Sequence, residues 1–304
     1  MRSLGLFTLT LLLALPVSAV AQPTEHDDAC MHFTLVKEAD ALVTTNPNDA
    51  IVKYQAAWDS APSAHTIASK LAAAYEKQED WAKVDAVLAG ACKVAPGFAS
   101  YFRRRGIARL ELALHGNGSF DDARKMFDEA VRLDPNDAEA QSKIGELLER
   151  QGDDAGALAR YTTAAKLAPT KVALFVPLAA LYLRLDYAER AAQVADVGLS
   201  FGGDTQVRFA LLHTWALALD EKHDAHAIEK YEQAYAACGD CTAPGQAVIR
   251  YDLGAAYANA KPPRKNEAIS MLQSFIKRIC KGGAAARYAD PCSSATDLLH
   301  RVTQ

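Results

Sequence analysis

The hexapeptide AVRLDP at residues 130–135 recurs as AAKLAP at residues 164–169, with the same order of small, basic, aliphatic and proline residues. The phrase also occurs upstream, as ACKVAP at 91–96 and more loosely as AWDSAP at 57–62. The four copies start 34, 39 and 34 residues apart. A period of this length is typical of repeat proteins, in which every repeat contributes one supersecondary unit.

The clearest unit, residues 138–169, predicts two helices joined by the turn RQGDD. Its apolar and small residues recur at the spacing of one helix face, and strand-like alternation is nearly absent from the chain. Gly152 can adopt the left-handed conformation that ends the first helix, and Asp153 or Asp154 can cap the second. Pro169 stops the second helix and starts the next cycle. We therefore predict an all-α chain of helix-turn-helix units.

The pattern resembles the tetratricopeptide repeat, and the resemblance is carried by small and apolar residues at fixed positions. One unit supplies Leu110, Leu114, Gly118, Phe120, Ala123, Phe127, Ala130 and Pro135, and the next supplies Ile144, Gly145, Leu148, Gly152, Ala157, Tyr161, Ala164 and Pro169. In the first of these units, Glu111 stands where the family usually has a small residue. The resemblance implies an α-solenoid of six or seven repeats over roughly residues 30–280. A capping helix at 292–303, with Leu298, Leu299 and Val302 facing inward, would close it.

Residues 1–21 have the pattern of a secretory signal peptide. Arg2 precedes an apolar run, and the small residues Ala19 and Ala21 precede Gln22. We expect cleavage after Ala21, which leaves residues 22–304 as the solenoid domain, either in the periplasm of a Gram-negative bacterium or secreted. The mature sequence has no apolar run long enough to span a membrane. With 33 basic and 37 acidic side chains, the formal net charge of −4 argues against nucleic acid as a partner.

Six cysteines lie in the mature sequence, where an oxidising compartment would favour disulfides. Cys238 is close in sequence to Cys241, and Cys280 is close to Cys292. These two pairings leave Cys30 and Cys92 by elimination.

Two short motifs have a chemical interpretation and a structural one. CGDC at 238–241 could exchange disulfides, because a helix starting at Thr242 would stabilise a thiolate, but a structural staple in a turn between units explains it as well. HDAH at 223–226 could supply two metal ligands, but solvated turn histidines are the simpler interpretation. No motif of a hydrolase, nucleotide-binding protein or metalloprotease is present in the mature sequence. We therefore expect no cofactor, no metal and no catalytic activity.

In the family that this chain resembles, the first helices of the units line a concave groove. The resemblance places Lys70, Arg105, Arg109 and Lys143 in its N-terminal part and Val176, Ala180, Phe209, Leu212 and Tyr251 in its C-terminal part. Arg105 and Arg109 are one helical turn apart and could jointly hold a carboxylate of a partner. The alternatives are a solvated charge run at 103–105 and ordinary core residues in the C-terminal part.

These expectations predict a non-enzymatic scaffold or adaptor of the cell envelope that binds a protein, as an extended peptide or a helix, in the groove. Two alternatives from other classes remain, a thiol-disulfide exchange protein that uses Cys238 and Cys241, and a self-assembling structural subunit. The sequence does not specify the partner or the oligomeric state.

Overall fold

The computed structural model describes residues 33–243, 245–281 and 285–304. These residues form fifteen α-helices and no strand. The helices are α1 (Phe33–Leu42), α2 (Pro47–Ser60), α3 (His65–Lys77), α4 (Trp81–Val94), α5 (Ala99–Leu114), α6 (Phe120–Leu133), α7 (Ala138–Arg150), α8 (Asp154–Leu167), α9 (Phe175–Arg184), α10 (Ala188–Ser200), α11 (Thr205–Glu221), α12 (Ala227–Ala237), α13 (Ile249–Asn259), α14 (Lys265–Arg278) and α15 (Ala289–Thr303). The predicted all-α class is confirmed.

The helices pack in consecutive pairs, α1 with α2 through α13 with α14, and each second helix also contacts the first helix of the next pair. We call the seven pairs units 1 to 7, and within each unit the odd-numbered helix is the first helix and the even-numbered helix the second. First helices also contact one another directly, as α5 contacts α7 and α9 contacts α11. This arrangement is the solenoid that the repeat period predicts.

The recurring phrase of the sequence marks the end of the second helix in units 1 to 4. In α2, α4, α6 and α8 the proline follows the last helical residue by two positions. Gly152 has a φ of +80° after α7, and the Asp153 side chain accepts a hydrogen bond of 2.9 Å from the Gly156 amide to cap α8. The local stop and start signals therefore act as predicted.

Small residues in the first helices allow close approach of the second helices. A Cβ atom added to Gly145 would lie 2.8 Å from the Tyr161 ring, and one added to Gly106 would lie 2.6 Å from the Phe127 ring. Gly106 therefore occupies the small position of unit 3, and the assignment of this position to Glu111 is wrong. Leu114, which that register placed among the repeat residues, is 40% exposed. This unit is five residues longer than its neighbours, and the additional residues lengthen α5 and the turn after it. They do not shift the contact between Gly106 and Phe127.

Each buried cluster combines side chains from neighbouring units. Tyr161 of α8 shares a cluster with Phe175 of α9 and with Leu211 of α11. A single unit could not bury these faces alone, so the stack stabilises its members mutually. Pro177 is tolerated because a 3-10 turn at Val172–Leu174 precedes α9 and places this proline in the first turn of the helix.

The chain ends with α15, which packs against α13 and α14 where a further first helix would stand. Leu298 is buried, and Leu299 and Val302 are half-buried against the same cluster. The helix begins three residues before the predicted 292–303 segment. None of the described helices combines the length and the apolar character that crossing a bilayer requires. The predicted signal peptide lies outside the described residues.

Candidate functional site

The exposed face of the first helices, which we call the first-helix face, carries polar contacts between neighbouring units. In the N-terminal part these contacts are ion pairs. Lys70 of α3 lies 2.7 Å from Asp40 of α1, and Arg104 of α5 lies 2.7 Å from Glu76 of α3. Arg103 of α5 lies 2.7 Å from Asp137, which precedes α7. Arg184 of α9 lies 3.2 Å from Glu149 of α7. These residues are 28 to 35 positions apart in sequence, so the pairs join one unit to the next.

Arg105 and Arg109 jointly hold a carboxylate, but the carboxylate belongs to the chain itself. Their Nε atoms lie 2.8 Å and 3.1 Å from the same Oδ1 atom of Asp85 in α4. The reason is the register of unit 3, because Arg105 precedes Gly106 and turns toward the second helix of the preceding unit. The proposed use of this arginine pair for a partner carboxylate therefore competes with an internal ion pair.

The two predicted groove lysines also have carboxylate neighbours. Lys70 pairs with Asp40, and Lys143 lies 2.9 Å from Glu146 one turn along α7. Lys70 and Asp40 each keep 45% of their side-chain surface exposed. Both lysines therefore remain accessible, but neither is an isolated cation.

The predicted apolar groove residues separate into accessible and buried ones. Val176 and Tyr251 are half-buried, and Ala180 is exposed on α9. Phe209 and Leu212 are each only 5% exposed and lie in one cluster with Tyr231, so their placement in the groove is wrong. The first helix of unit 6, α11, runs for 17 residues and does not follow the register that the repeat length suggests.

The CGDC turn lacks the feature that would activate a thiol. Cys238 follows the last residue of α12, and the next helix, α13, starts at Ile249 rather than at Thr242. The expectation of a thiolate at a helix N-terminus is therefore wrong. Cys241 is fully buried, and the buried Arg250 guanidinium donates to the backbone carbonyl oxygens of Asp240 and Cys241. The Cα atoms of Cys238 and Cys241 are 4.9 Å apart.

The other cysteines differ in their surroundings. The Cα atoms of Cys280 and Cys292 are 5.6 Å apart and their Sγ atoms 1.99 Å apart, which brings the segment after α14 against α15. Cys30 lies outside the described residues, so the Cys30–Cys92 bridge stays a prediction. Within the described part Cys92 is a buried thiol without a disulfide partner. Burial raises the pKa of Cys92, and the Arg105 charge opposes this shift.

The HDAH segment forms the turn between α11 and α12. His226 precedes α12, and its Nδ1 atom lies 2.7 Å from Asp224, while His223 has a φ of +55° in the turn. No group of three or more potential metal ligands exists among the described residues.

Three tyrosines occupy the same position of their second helices. Tyr54, Tyr161 and Tyr231 each lie four residues after one buried alanine and three residues before another. Each hydroxyl donates a hydrogen bond to a carboxylate near the end of the first helix of the same unit. The acceptors are Asp40 for Tyr54, Glu149 for Tyr161 at 2.9 Å and Asp220 for Tyr231 at 3.4 Å.

Two of these carboxylates also receive a cation from the next first helix, and the third does not. Lys70 approaches Asp40, and Arg184 approaches Glu149. No described lysine or arginine forms an ion pair with Asp220. Arg184 is the last residue of α9, and the last residue of α13 is Asn259. The sequence signal for this set is a tyrosine that lies four residues after one alanine and three residues before another.

A cavity of about 940 Å³ opens beside Asp220. Its walls come from the end of α11, the turn and start of α12, and the end of α13 with the turn that follows. Leu217, Ile228 and Ala256 form an apolar side, and Asp220 and Glu221 form an acidic side. We call this cavity, with these five residues, the α11–α13 cavity.

Residues 102–172 match the family model of the tetratricopeptide repeat. A comparison with curated proteins gives no match. Among solved structures, the fold is similar to that of PilF from Pseudomonas aeruginosa, with a TM-score of 0.59 at 14% identity over 74% of this chain and 96% of that chain.

Two further solved structures cover more of the chain. The C-terminal part of a repeat-containing protein from Cytophaga hutchinsonii has a TM-score of 0.57 at 14% identity, over 83% of this chain and 98% of that one. A tetratricopeptide repeat protein from Parabacteroides merdae has a TM-score of 0.57 at 12% identity, over 90% of this chain and 99% of that one. Residues 102–172 therefore match the tetratricopeptide repeat directly, and over most of its length the chain has a fold similar to that of solved tetratricopeptide repeat structures.

Proposed function

We propose that the chain is a non-enzymatic scaffold that binds an extended peptide or a helix of a partner protein across its first-helix face. Repeat solenoids of this fold serve in general as protein-interaction scaffolds. The observation that carries the proposal is the apolar surface left open on the first helices of units 5 to 7. Ala180 is exposed there, and Val176, Leu217 and Tyr251 are half-buried. Partly open apolar side chains on an ordered surface are suited to anchor a partner.

The N-terminal part of the same face would contribute to the selectivity of partner binding rather than to its affinity. Its cations already have internal carboxylates, so a partner would exchange one ion pair for another with little net gain. Charged groups arranged in this way determine the register and direction of a bound segment. The apolar anchors would therefore supply most of the affinity.

The test is a selection of displayed peptides on the purified mature chain. Ala180→Arg places a long cation on the first-helix face of α9, and Ala236→Arg places the same side chain on the exposed surface of the second helix α12 as a matched control. We expect peptides enriched on the parent chain to bind the Ala180→Arg variant at least about tenfold more weakly and the control with unchanged affinity. The proposal fails if no peptide is enriched or if both variants bind equally well.

We also propose that this scaffold works in the cell envelope. The support is the signal-like pattern of residues 1–21 and the two close cysteine pairs, which would form disulfides in an oxidising compartment. Fractionation of the producing cell, with N-terminal sequencing of the released protein, tests the location. A mature chain that starts near Gln22 outside the cytoplasm is expected, and a cytoplasmic chain that retains residues 1–21 would contradict it.

A further inference from the structure

We propose that the α11–α13 cavity binds a basic side chain, arginine or lysine, of the partner protein. This inference rests on the proposed scaffold function and names the chemistry of one contact with the partner. Three observations carry it: the repeated tyrosine–carboxylate arrangement, the cation that is absent from its third copy, and the shape and charge of the cavity.

The chain itself shows which group completes such a carboxylate. In unit 1 the Asp40 carboxylate accepts from the Tyr54 hydroxyl and pairs with the Lys70 ammonium group at 2.7 Å. In unit 4 the Glu149 carboxylate accepts from the Tyr161 hydroxyl and pairs with Arg184. Both cations come from the following first helix. The same arrangement therefore forms twice as tyrosine, carboxylate and cation.

In unit 6 the Tyr231 hydroxyl and the Asp220 carboxylate are present, but no described lysine or arginine forms an ion pair with Asp220. The α13 helix ends in Asn259, whose amide carries no charge, and Asn259 and Asp220 line the same cavity. The cavity therefore lies where a basic side chain of the chain would otherwise fill the space. An incoming guanidinium or ammonium group restores the arrangement of units 1 and 4.

Charges around the cavity favour a cation over an anion. Glu221 adjoins Asp220 and forms no ion pair among the described residues. Desolvation and the nearby Asp252 carboxylate raise the pKa of Asp220, although the Tyr231 hydrogen bond and the His223 charge oppose this shift. The Asp252 carboxylate itself lies 2.8 Å from His213 Nε2. A bound cation would relieve the repulsion between these carboxylates.

Of the basic groups that line the cavity, the exposed His223 lies close enough for its charge to lower the pKa of Asp220, but Arg264 and Lys261 form no ion pair with the acidic side among the described residues. Arg264 is engaged by Glu232 at 2.9 Å and by Glu267 at 3.0 Å. Lys261 pairs with neither Asp220 nor Glu221 among the described residues. The acidic side therefore remains available to a charge from outside.

The apolar side of the cavity suits the aliphatic part of a long basic side chain. Leu217, Ile228 and Ala256 line the same cavity as the carboxylates. Lysine and arginine bury their methylene groups against such surfaces while the charged end reaches a carboxylate. A metal ion would gain nothing from this apolar side, which favours an amphipathic side chain as the occupant.

The experiment uses two capped pentapeptides that differ in one side chain, a central arginine or a central norleucine between two leucines. Binding to the full mature chain is followed by the methyl resonances of Ile228 and Leu217. We expect the arginine peptide to shift these resonances and to bind about tenfold more tightly than the norleucine peptide. Asp220→Asn should remove this preference, and Asp196→Asn, an exposed carboxylate on α10, should leave it unchanged.

A second variant tests the geometry by filling the site from within. Asn259→Arg should place a guanidinium beside Asp220, as Arg184 does beside Glu149, and should abolish binding of the arginine peptide. Equal binding of both peptides, or no shift at Ile228 up to millimolar peptide, would overturn this inference. The peptide selection described above tests the scaffold function separately. Enriched peptides without a basic residue would support the scaffold function and contradict only the proposed cation site.

Discussion

On α3, α5 and α7 the charged side chains of the first-helix face form ion pairs within their own helix or with a neighbouring unit. On α9, α11 and α13 half-buried apolar side chains remain, together with Asp220, which forms no ion pair with a described lysine or arginine. Both regions use the same helix pairs and the same small residues at the contacts. A partner that binds the N-terminal part has to displace existing ion pairs, which yields little net free energy. A partner that binds the C-terminal part gains apolar contact and can add a charge without displacing one. The helix pairs therefore pack in the same way in both regions, but the side chains that a partner would meet differ between them.

The largest expected effect comes from removing the carboxylate that Arg105 and Arg109 share. Asp85→Ala would leave Arg105 and Arg109, whose side chains are 13% and 27% exposed, without their common acceptor. We expect the free energy of unfolding to fall by about 2–3 kcal/mol, measured by urea denaturation. Asp196→Ala on the exposed surface of α10 should change it by less than about 0.5 kcal/mol. Similar stability of the two variants would mean that the arginines are solvated after all.

A smaller effect should distinguish the helix contacts of the two regions. In Gly106→Ala the new Cβ would lie 2.6 Å from the flat Phe127 ring, and in Gly254→Ala it would lie 3.0 Å from the branched side chain of Leu272. We expect Gly106→Ala to cost about 1–2 kcal/mol of unfolding free energy. Gly254→Ala should be nearly neutral, because leucine can shift and alanine favours the helix by about 1 kcal/mol. Thermal unfolding of both variants measures the difference, and the reverse order would contradict it.

The smallest effect concerns two carboxylates with opposite pKa shifts. Burial alone would raise the pKa of Asp40, but hydrogen bonds from Lys70 and Tyr54 outweigh it and lower the pKa below the usual 3.8. Asp40 therefore stabilises the fold above this value, and the contribution is lost as the pH falls through its folded pKa. Desolvation raises the pKa of Asp220 above 3.8, so its ionised form destabilises the fold at neutral pH and this cost disappears on acidification.

The same substitution at the two positions should consequently act in opposite directions. At pH 7, Asp40→Asn should lower the unfolding free energy and Asp220→Asn should increase it, each by less than about 1 kcal/mol because both sites contact solvent. Denaturation at pH 7 and at pH 3 measures the two effects. The Asp220→Asn effect should nearly vanish at pH 3, and the Asp40→Asn effect should be smaller there than at pH 7. Effects of equal sign at pH 7 would show that Asp220 already has a cationic partner.

The sequence was sufficient to predict the fold because its signals are local. Gly152, Asp153 and Pro169 act within one turn of the chain, and each end of a helix pair depends only on such neighbours. The alternation of small and large residues around Gly145 likewise follows from helix geometry.

The candidate site was harder to predict because it depends on register between units. An error of five residues in unit 3 replaced Gly106 by Glu111, and it assigned Arg105 and Arg109 to a partner although Asp85 holds them. A longer first helix in unit 6 moved Phe209 into the core in the same way. A shift of one residue rotates a helix by about 100°, so a small error in register exchanges the buried and open faces.

The sequence by itself determined that this chain forms stacked helix pairs, because stop signals and helix-face periodicity act within a few residues. Only the tertiary structure decided which charges are free, since an ion pair such as Arg105 with Asp85 joins residues of different units whose separation no repeat period specifies. It also decided where a charge is missing: that no described lysine or arginine pairs with Asp220 becomes visible only by comparison with the surroundings of Asp40 and Glu149 in the folded stack.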